Sequence, residues 1–85
     1  MAYEVKFTPG ADRELRKLDF QDQRRITRAA EGLASSPRPP GAKKLAGPGD
    51  QWRIRVGDYR VIYQIRDEIL LVLIVRVGHR GAVYR

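Results

Sequence analysis

Cysteine is absent from this sequence of 85 residues, and histidine, tryptophan and methionine each occur only once. Without cysteine the chain has no disulfide, no thiolate nucleophile and no thiolate metal ligand, which fits a reducing compartment. A single histidine with no cysteine nearby does not supply the ligands of a transition-metal site. We therefore expect neither a bound metal nor any other cofactor.

Long hydrophobic runs are also missing. The first twenty residues alternate charged and apolar side chains, which is typical of neither a signal peptide nor a membrane span. The most apolar stretch, residues 69–77, is too short to cross a bilayer as a helix. A chain of this length builds one core. We expect a single cytoplasmic domain over residues 1–85, without a membrane partner, whose active site is a surface cleft or face.

Acidic residues are few compared with basic ones. Ten Asp and Glu stand against seventeen Lys and Arg, a formal net charge of +7, and thirteen of the cations are arginine. Residues 43–85 carry most of this excess. Arginine is preferred over lysine where a planar donor must bind phosphate in a bidentate way or stack on a base. The charge therefore makes nucleic acid a candidate partner, although an acidic protein would also fit it.

The hydrophobic pattern predicts the order β-α-α-β-β-β. A strand at residues 3–7 precedes helices over 9–18 and 20–34, for which Thr8 and Asp19 are candidate N-caps. A Pro-rich loop at 35–41 ends the second helix, and strands follow at 51–56, 59–66 and 69–77. This order predicts an α+β fold in which two N-terminal helices pack on one face of a small, mainly antiparallel four-stranded sheet. The other face stays open.

The predicted hairpin carries a basic face. Gly57-Asp58 suits a two-residue type II′ turn, which pairs Arg55 with Arg60 across the strands. Because paired residues share a face, Arg53, Arg55 and Arg60 lie together on the open side. Two arginines directly opposite each other repel, so a polyanion would supply the missing countercharge. The alternative is a solvated face whose arginines spread apart or are neutralised within the chain.

The C-terminal stretch adds a second group of candidates. Gly78 permits an unusual backbone angle or a bulge that re-aims His79 and Arg80. His79 is the one side chain whose ordinary pKa suits proton transfer near neutral pH, although a lone histidine is more often structural. Tyr84 could stack on a base or could only close the core.

Two segments of this chain resemble the signature blocks of one toxin family. Residues 52–63, WRIRVGDYRVIY, and residues 77–84, VGHRGAVY, are similar to the RelE branch of the RelE/ParE toxin superfamily. The opening strand at 3–7, the helix end at 15–18 and the approach at 43–47 match as well, so the resemblance covers nearly the whole chain. It implies the microbial-RNase-like RelE fold.

The resemblance also implies an activity. RelE-type toxins are neutralised by an antitoxin; when free, they enter the ribosomal A site and cleave the mRNA codon by attack of a ribose 2′-hydroxyl on the adjacent phosphate. Arg60 and Arg80 would hold the scissile phosphate, and Tyr84 would stack on the base. Arg53 and Arg55 correspond to the family's basic strand residues. Further RNA contacts are expected at Lys43, Lys44 and Arg85. Joined to its antitoxin, such a toxin takes part in an operator-DNA complex, but the antitoxin usually reads the DNA.

One departure from the family pattern bears on the chemistry. The type member has lysines at the positions of Arg53, Arg55 and His79, and one of the first two is assigned to proton abstraction. Arginine stays protonated and is a poor general base. Catalysis could rest on electrostatic stabilisation and substrate positioning, or His79 could supply the acid or base.

Two rival functions stay open at this stage. A ParE-like inhibitor of DNA gyrase would share the fold without needing an RNA-cleaving constellation. A non-enzymatic module that binds RNA or the ribosome would show graded effects when single charges are removed, whereas a nuclease should lose its activity with Arg60→Ala or Arg80→Ala.

Overall fold

The computed structural model describes residues 2–47 and 49–79. Strand β1 (Glu4–Phe7) leads into helix α1 (Pro9–Arg16) and helix α2 (Phe20–Gly32). The second half contains β2 (Lys43–Lys44), β3 (Gln51–Val56), β4 (Tyr59–Arg66) and β5 (Leu71–His79), with a 3-10 turn at Asp67–Ile69 before β5.

Both helices begin where their capping residues predict. The Thr8 hydroxyl accepts a hydrogen bond from the N–H of Ala11, with Pro9 at the start of α1. The Asp19 carboxylate accepts one from the N–H of Asp22 at 2.9 Å and starts α2. The helices end at residues 16 and 32, two residues earlier than predicted at each C-terminus. Of the helices in the described part of the chain, neither is long and apolar enough to span a membrane.

The predicted α+β architecture is confirmed, with one more strand than expected. The sheet order is β1-β5-β4-β3-β2; β1 runs parallel to β5, and every other neighbouring pair is antiparallel. The prediction of four strands was wrong for residues 2–47 and 49–79, because Lys43–Lys44 adds a fifth beside β3. A two-residue strand is too short to show the alternation by which strands are recognised in a sequence.

The core lies between the two helices and one face of the sheet. The helical segment contributes Ala11, Leu15, Ile26, Ala30 and Leu33, and the sheet contributes Ile54, Val61, Tyr63, Ile65, Val72, Ile74 and Val77. Ile74 and Val77 both reach this core although they are three positions apart, which in a regular strand would place them on opposite faces. The β4–β5 register shifts between Ile62 and Tyr63, whose partners are Arg76 and Ile74. This bulge reverses the alternation of β5 near its end.

Strand β5 begins two residues later than the pattern predicts. Ile69 belongs to the 3-10 turn and is exposed, and Leu70 has a φ of 51°. The hydrophobic run starts at residue 69, but the backbone becomes extended only at Leu71. The strand continues to His79, beyond the predicted end at Val77.

Candidate functional site

The β3–β4 hairpin has the predicted register. Arg55 pairs with Arg60, and Arg53 pairs with Ile62. Gly57 has a φ of 60°, whereas Asp58 does not have a positive φ, as a type II′ turn requires. The hairpin therefore brings Arg53, Arg55 and Arg60 to the sheet face that points away from the helices. We call these three residues the arginine face.

Arg53 is the buried member of the arginine face. Only 5% of the residue is exposed, and among the described residues nothing accepts a hydrogen bond from its Nε atom. No carboxylate of the described chain forms an ion pair with it either. Burying an uncompensated charge is costly, and proteins normally pair such a group. The sequence predicted the face correctly but not this burial, which Arg53 shares with its partner Ile62.

Arg55 and Arg60 lie side by side nearer the hairpin turn. Arg55 is exposed and Arg60 is partly exposed. On the other side of β4, Arg60 is paired with Gly78 of β5, so no side chain projects from β5 at this position. Strands β2, β3 and β4 place no carboxylate on this face within their described residues. The described part of this face is therefore cationic, with Arg55 as its exposed member.

The two lysines of β2 separate onto opposite faces. Lys43 pairs with Arg53 and extends the arginine face toward the sheet edge. Lys44 pairs with Trp52, on the helix side, and its Nζ lies 3.4 Å from the Asp50 carboxylate. Both lysines were predicted to contact RNA, but only Lys43 is adjacent to the arginine face.

His79 does not join the arginine face. It pairs with Tyr59, which lies on the helix side of the sheet, and the two rings make an edge contact with centroids 5.2 Å apart. The Tyr59 hydroxyl donates a hydrogen bond to Asp22 on α2, and this bond raises the pKa of Tyr59 above its ordinary value. The bulge of β5 accounts for the placement, because it sets which way the last residues point. The geometry gives no support to His79 as an acid or base beside Arg55 and Arg60.

Three predicted site residues lie outside the described residues. These are Arg80, Tyr84 and Arg85. Their predicted roles stay predictions.

A polar anchor that the sequence did not reveal fixes the approach to β2. The Arg38 guanidinium donates to Asp67 at 2.8 Å and lies over the Trp52 ring, and the Tyr3 hydroxyl donates to the same carboxylate. The hydrogen bonds from Arg38 and Tyr3 hold the pKa of Asp67 below its usual value. Tyr63, whose hydroxyl donates to the Pro37 carbonyl at 2.7 Å, anchors the same loop from the core. No short-range pattern signals these contacts, because their partners are far apart in the chain.

The arginine face is suited to bind and neutralise a phosphodiester. Guanidinium groups make charge-assisted, bidentate hydrogen bonds to phosphate oxygens. Held in a partly buried setting, they also stabilise negative charge that develops during phosphoryl transfer. Its arginines cannot serve as general bases, since they keep their protons. The arginine face can therefore position a phosphodiester and stabilise its negative charge, but it does not supply a proton acceptor.

Comparisons with known proteins agree with this geometry. The family model described as the ParE toxin of a type II toxin–antitoxin system, parDE, matches residues 5–84. Toxin RelG of Mycobacterium tuberculosis (strain ATCC 25618 / H37Rv) is 38% identical, over 100% of this chain and 99% of that protein. The mRNA interferase toxin RelE of Escherichia coli (strain K12) is 34% identical, over 94% of this chain and 85% of that protein.

A solved structure agrees with the fold as well as with the sequence. The crystal structure of the toxin–antitoxin complex RelBE2 from Mycobacterium tuberculosis contains a chain that superposes with a TM-score of 0.84 at 35% identity. The match covers 95% of this chain and 94% of that one. The protein described here belongs to the RelE/ParE superfamily of type II toxin–antitoxin toxins, as a RelE-type member.

Proposed function

We propose that this toxin is a ribosome-dependent endoribonuclease that cleaves mRNA in the ribosomal A site and so inhibits translation. The observation that carries the proposal is the buried guanidinium of Arg53, which has no countercharge among the described residues. A phosphate of the RNA backbone would supply that countercharge. The similarity to an mRNA interferase toxin RelE supports the same substrate.

The arginine face accounts for most of the proposed chemistry by electrostatics. The 2′-hydroxyl oxygen of one nucleotide attacks the adjacent phosphorus while its proton passes to water. The bond to the 5′-oxygen of the next nucleotide breaks and that oxygen takes up a proton from water, which leaves a 2′,3′-cyclic phosphate and a 5′-hydroxyl. Arg60 holds the phosphate on which charge accumulates, with Arg80 as its proposed partner. Arg53 and Arg55 orient the backbone, and Tyr84 stacks on the base. Because the arginines do not accept protons, the ribosome contributes by aligning the RNA for attack.

A cognate antitoxin is the second proposed partner. The structural relatives include chains solved as toxin–antitoxin complexes. An acidic, amphipathic antitoxin helix would complement the net charge of +7. The complex with the antitoxin would also bind operator DNA, through the antitoxin, and both proteins would act in the cytoplasm.

Primer extension on a defined message in a reconstituted translation system tests the nuclease directly. We expect cleavage within the A-site codon, only when ribosomes are present, and its loss in Arg60→Ala and in Arg80→Ala. Lys44→Gln is the matched control, because Lys44 is already paired with Asp50 and lies off the arginine face. His79→Gln should behave like this control; a far larger loss would restore His79 as acid or base.

Two other outcomes would replace the proposal. If folded wild-type protein binds ribosomes without cutting, and single charge removals weaken binding gradually, the chain is a non-enzymatic ribosome-binding module. If it leaves mRNA intact but blocks supercoiling by DNA gyrase, it is a ParE-like toxin. The matching family model is that of a ParE toxin, so this alternative is tested as well.

A further inference from the structure

Helix α2 presents a second basic surface, on the opposite side of the sheet from the arginine face. Arg24, Arg25 and Arg28 lie within one helical turn on its solvent side and all three are exposed, whereas Ile26 and Ala30 face the core. We call these three arginines the α2 ridge. With Gln21 they line a shallow cavity of about 260 Å³.

The α2 ridge has little countercharge within the chain. Asp22 is 3.8 Å from Arg25, but the same carboxylate accepts the hydrogen bond from Tyr59. Within the described residues, neither Arg24 nor Arg28 forms an ion pair. Like charges one turn apart destabilise a helix by a few tenths of a kcal/mol per pair. The ridge is therefore an arrangement that an external polyanion would stabilise.

An exposed aromatic side chain accompanies these charges. Phe20, at the start of α2, is 71% exposed, and the Arg24 guanidinium lies 5.7 Å from the centre of its ring. A second shallow cavity runs along the same side of the helix, between Phe20 and Glu31. Arginines that bind phosphates beside an aromatic ring that stacks on bases are characteristic of RNA-binding surfaces.

The hairpin turn connects the ridge to the arginine face. A Cβ atom at Gly57 would lie 2.8 Å from Nη2 of Arg25, so the Arg25 guanidinium rests directly on the turn. Arg55 and Arg60 lie just beyond this turn, on the other face of the sheet. Basic side chains thus continue around the tip of the hairpin. In the proposed A-site function, the messenger would lie against one side of this tip and ribosomal RNA would face the other.

We propose that the α2 ridge binds the phosphate backbone of ribosomal RNA while the arginine face holds the mRNA. This inference rests on the proposed ribosomal function. It assigns to Arg24, Arg25 and Arg28 a part in docking and none in the chemical step. Removing the ridge should weaken ribosome binding, while the cleavage rate at saturating ribosome concentration stays unchanged.

The test compares two triple variants that lose the same charge. The ridge variant is Arg24→Gln/Arg25→Gln/Arg28→Gln. The control is Lys6→Gln/Arg16→Gln/Arg66→Gln, which removes three exposed cations that already contact Glu4, Asp12 and Gln64 within the chain. Binding to 70S ribosomes programmed with a defined message is measured over a salt series. Both variants also carry Arg60→Ala, so that cleavage does not disturb the binding measurement, and circular dichroism verifies their folding.

We expect the ridge variant to bind ribosomes at least about tenfold more weakly than the control. The slope of log Kd against log salt should fall by about 2 to 3, since each lost phosphate contact removes slightly less than one. Equal affinity and equal slope in the two variants would overturn the inference. So would a ridge variant that binds ribosomes normally but no longer binds an acidic antitoxin peptide.

The failure of this inference can be told apart from the failure of the proposed function. If wild type binds ribosomes through the ridge but never cuts, the ridge assignment stands and the nuclease falls. If wild type cuts and the ridge variant binds like the control, the nuclease stands and the ridge assignment falls. With cleavage-competent protein, the ridge variant should show a raised KM for ribosomes and an unchanged kcat.

Discussion

The carboxylate of Glu14 on α1 accepts a hydrogen bond from the backbone N–H of Val77 at 2.9 Å. Its second oxygen lies 3.2 Å from Nε of Arg76. Strand β1 ends at Phe7, and the N–H of Thr8 then donates a backbone hydrogen bond to the Ile74 carbonyl of β5. Glu14 therefore replaces the missing neighbour strand and fixes the end of β5, from which Arg80 and Tyr84 follow.

Glu14→Ala should reduce both stability and catalysis. It leaves a partly buried N–H without its acceptor, which costs about 1 to 2 kcal/mol of unfolding free energy. Because β5 leads to the proposed Arg80 and Tyr84, we expect kcat to fall several-fold with little change in the KM for ribosomes. Glu14→Gln keeps an amide oxygen for the Val77 N–H and should recover most of the rate. Urea denaturation and single-turnover cleavage measure the two effects.

Glu68→Ala is the matched control for this prediction, since Glu68 is exposed in the 3-10 turn. A purely structural role for Glu14 would lower the amount of folded protein without changing kcat per folded molecule. Failure of Glu14→Gln to recover any activity would show that the hydrogen bond to Val77 is not what matters.

Arg53→Met should stabilise the fold and abolish cleavage. Replacing a buried ionic group by an apolar side chain of similar length is often stabilising, by about 1 kcal/mol or more. The same change removes the proposed phosphate ligand. Urea denaturation should therefore show a higher unfolding free energy in a protein that no longer cuts mRNA. Arg66→Met, an exposed change on the same sheet face, should alter neither property strongly.

A loss of stability in Arg53→Met would mean that the charge of Arg53, which has no countercharge among the described residues, is compensated in the free toxin. Full activity in the same variant would remove Arg53 from the site. The two measurements address separate claims, because the first concerns the unbound fold and the second concerns the RNA.

Inorganic sulfate should bind the arginine face and raise the melting temperature of the free protein. A tetrahedral anion mimics a phosphate, and a ligand that binds only the folded state stabilises it in proportion to the logarithm of its concentration. The rise should exceed that produced by chloride at equal ionic strength, and it should shrink in Arg53→Met and in Arg60→Ala. A thermal shift series checks this. Equal shifts in wild type and both variants would mean that sulfate acts through general salt effects.

How far the sequence predicts this molecule depends on how local each feature is. The hairpin register follows from Gly57-Asp58 and strict alternation, because a two-residue turn leaves one pairing. The placement of His79 does not follow, because a bulge near Val75 reverses the alternation and bulges leave little trace in sequence. The bond between Glu14 and Val77 joins residues 63 positions apart, which no periodicity encodes.

The candidate site also combines local features with features that depend on the assembled sheet. Arg53, Arg55 and Arg60 share one face because side chains alternate along each strand and paired residues point to the same side. This placement is therefore predictable from the sequence. The burial of Arg53 depends on neighbours from other strands, Ile62 and Lys43 among them, and appears only once the sheet is assembled. In the sequence, the α2 ridge has the pattern of an ordinary solvated helix face. Its proximity to the arginine face is apparent only in the structure, where the Arg25 guanidinium lies against the Gly57 turn.

Tyr63→Phe should change how stability depends on pH at the alkaline end. Tyr63 is fully buried, and burial raises the pKa of its hydroxyl from 10.0 to about 12. A raised pKa means that the folded state holds the proton more tightly than the unfolded state. The contribution of the protonated Tyr63 hydroxyl to the unfolding free energy is therefore complete below pH 10. It is lost as the pH rises from 10 to about 12.

The difference in stability between the two proteins should consequently shrink to about zero as the pH rises to 11. At pH 8 the variant should be less stable by about 1 kcal/mol, because the hydrogen bond to the Pro37 carbonyl is gone. At about pH 11 the wild type has lost a similar amount through ionisation of the phenol, and the two unfolding free energies should meet. Urea denaturation at intervals from pH 8 to 11 measures both curves. Curves that stay parallel over this range would mean that Tyr63 ionises as easily in the folded chain as in the unfolded one, and that the loop anchor does not depend on its proton.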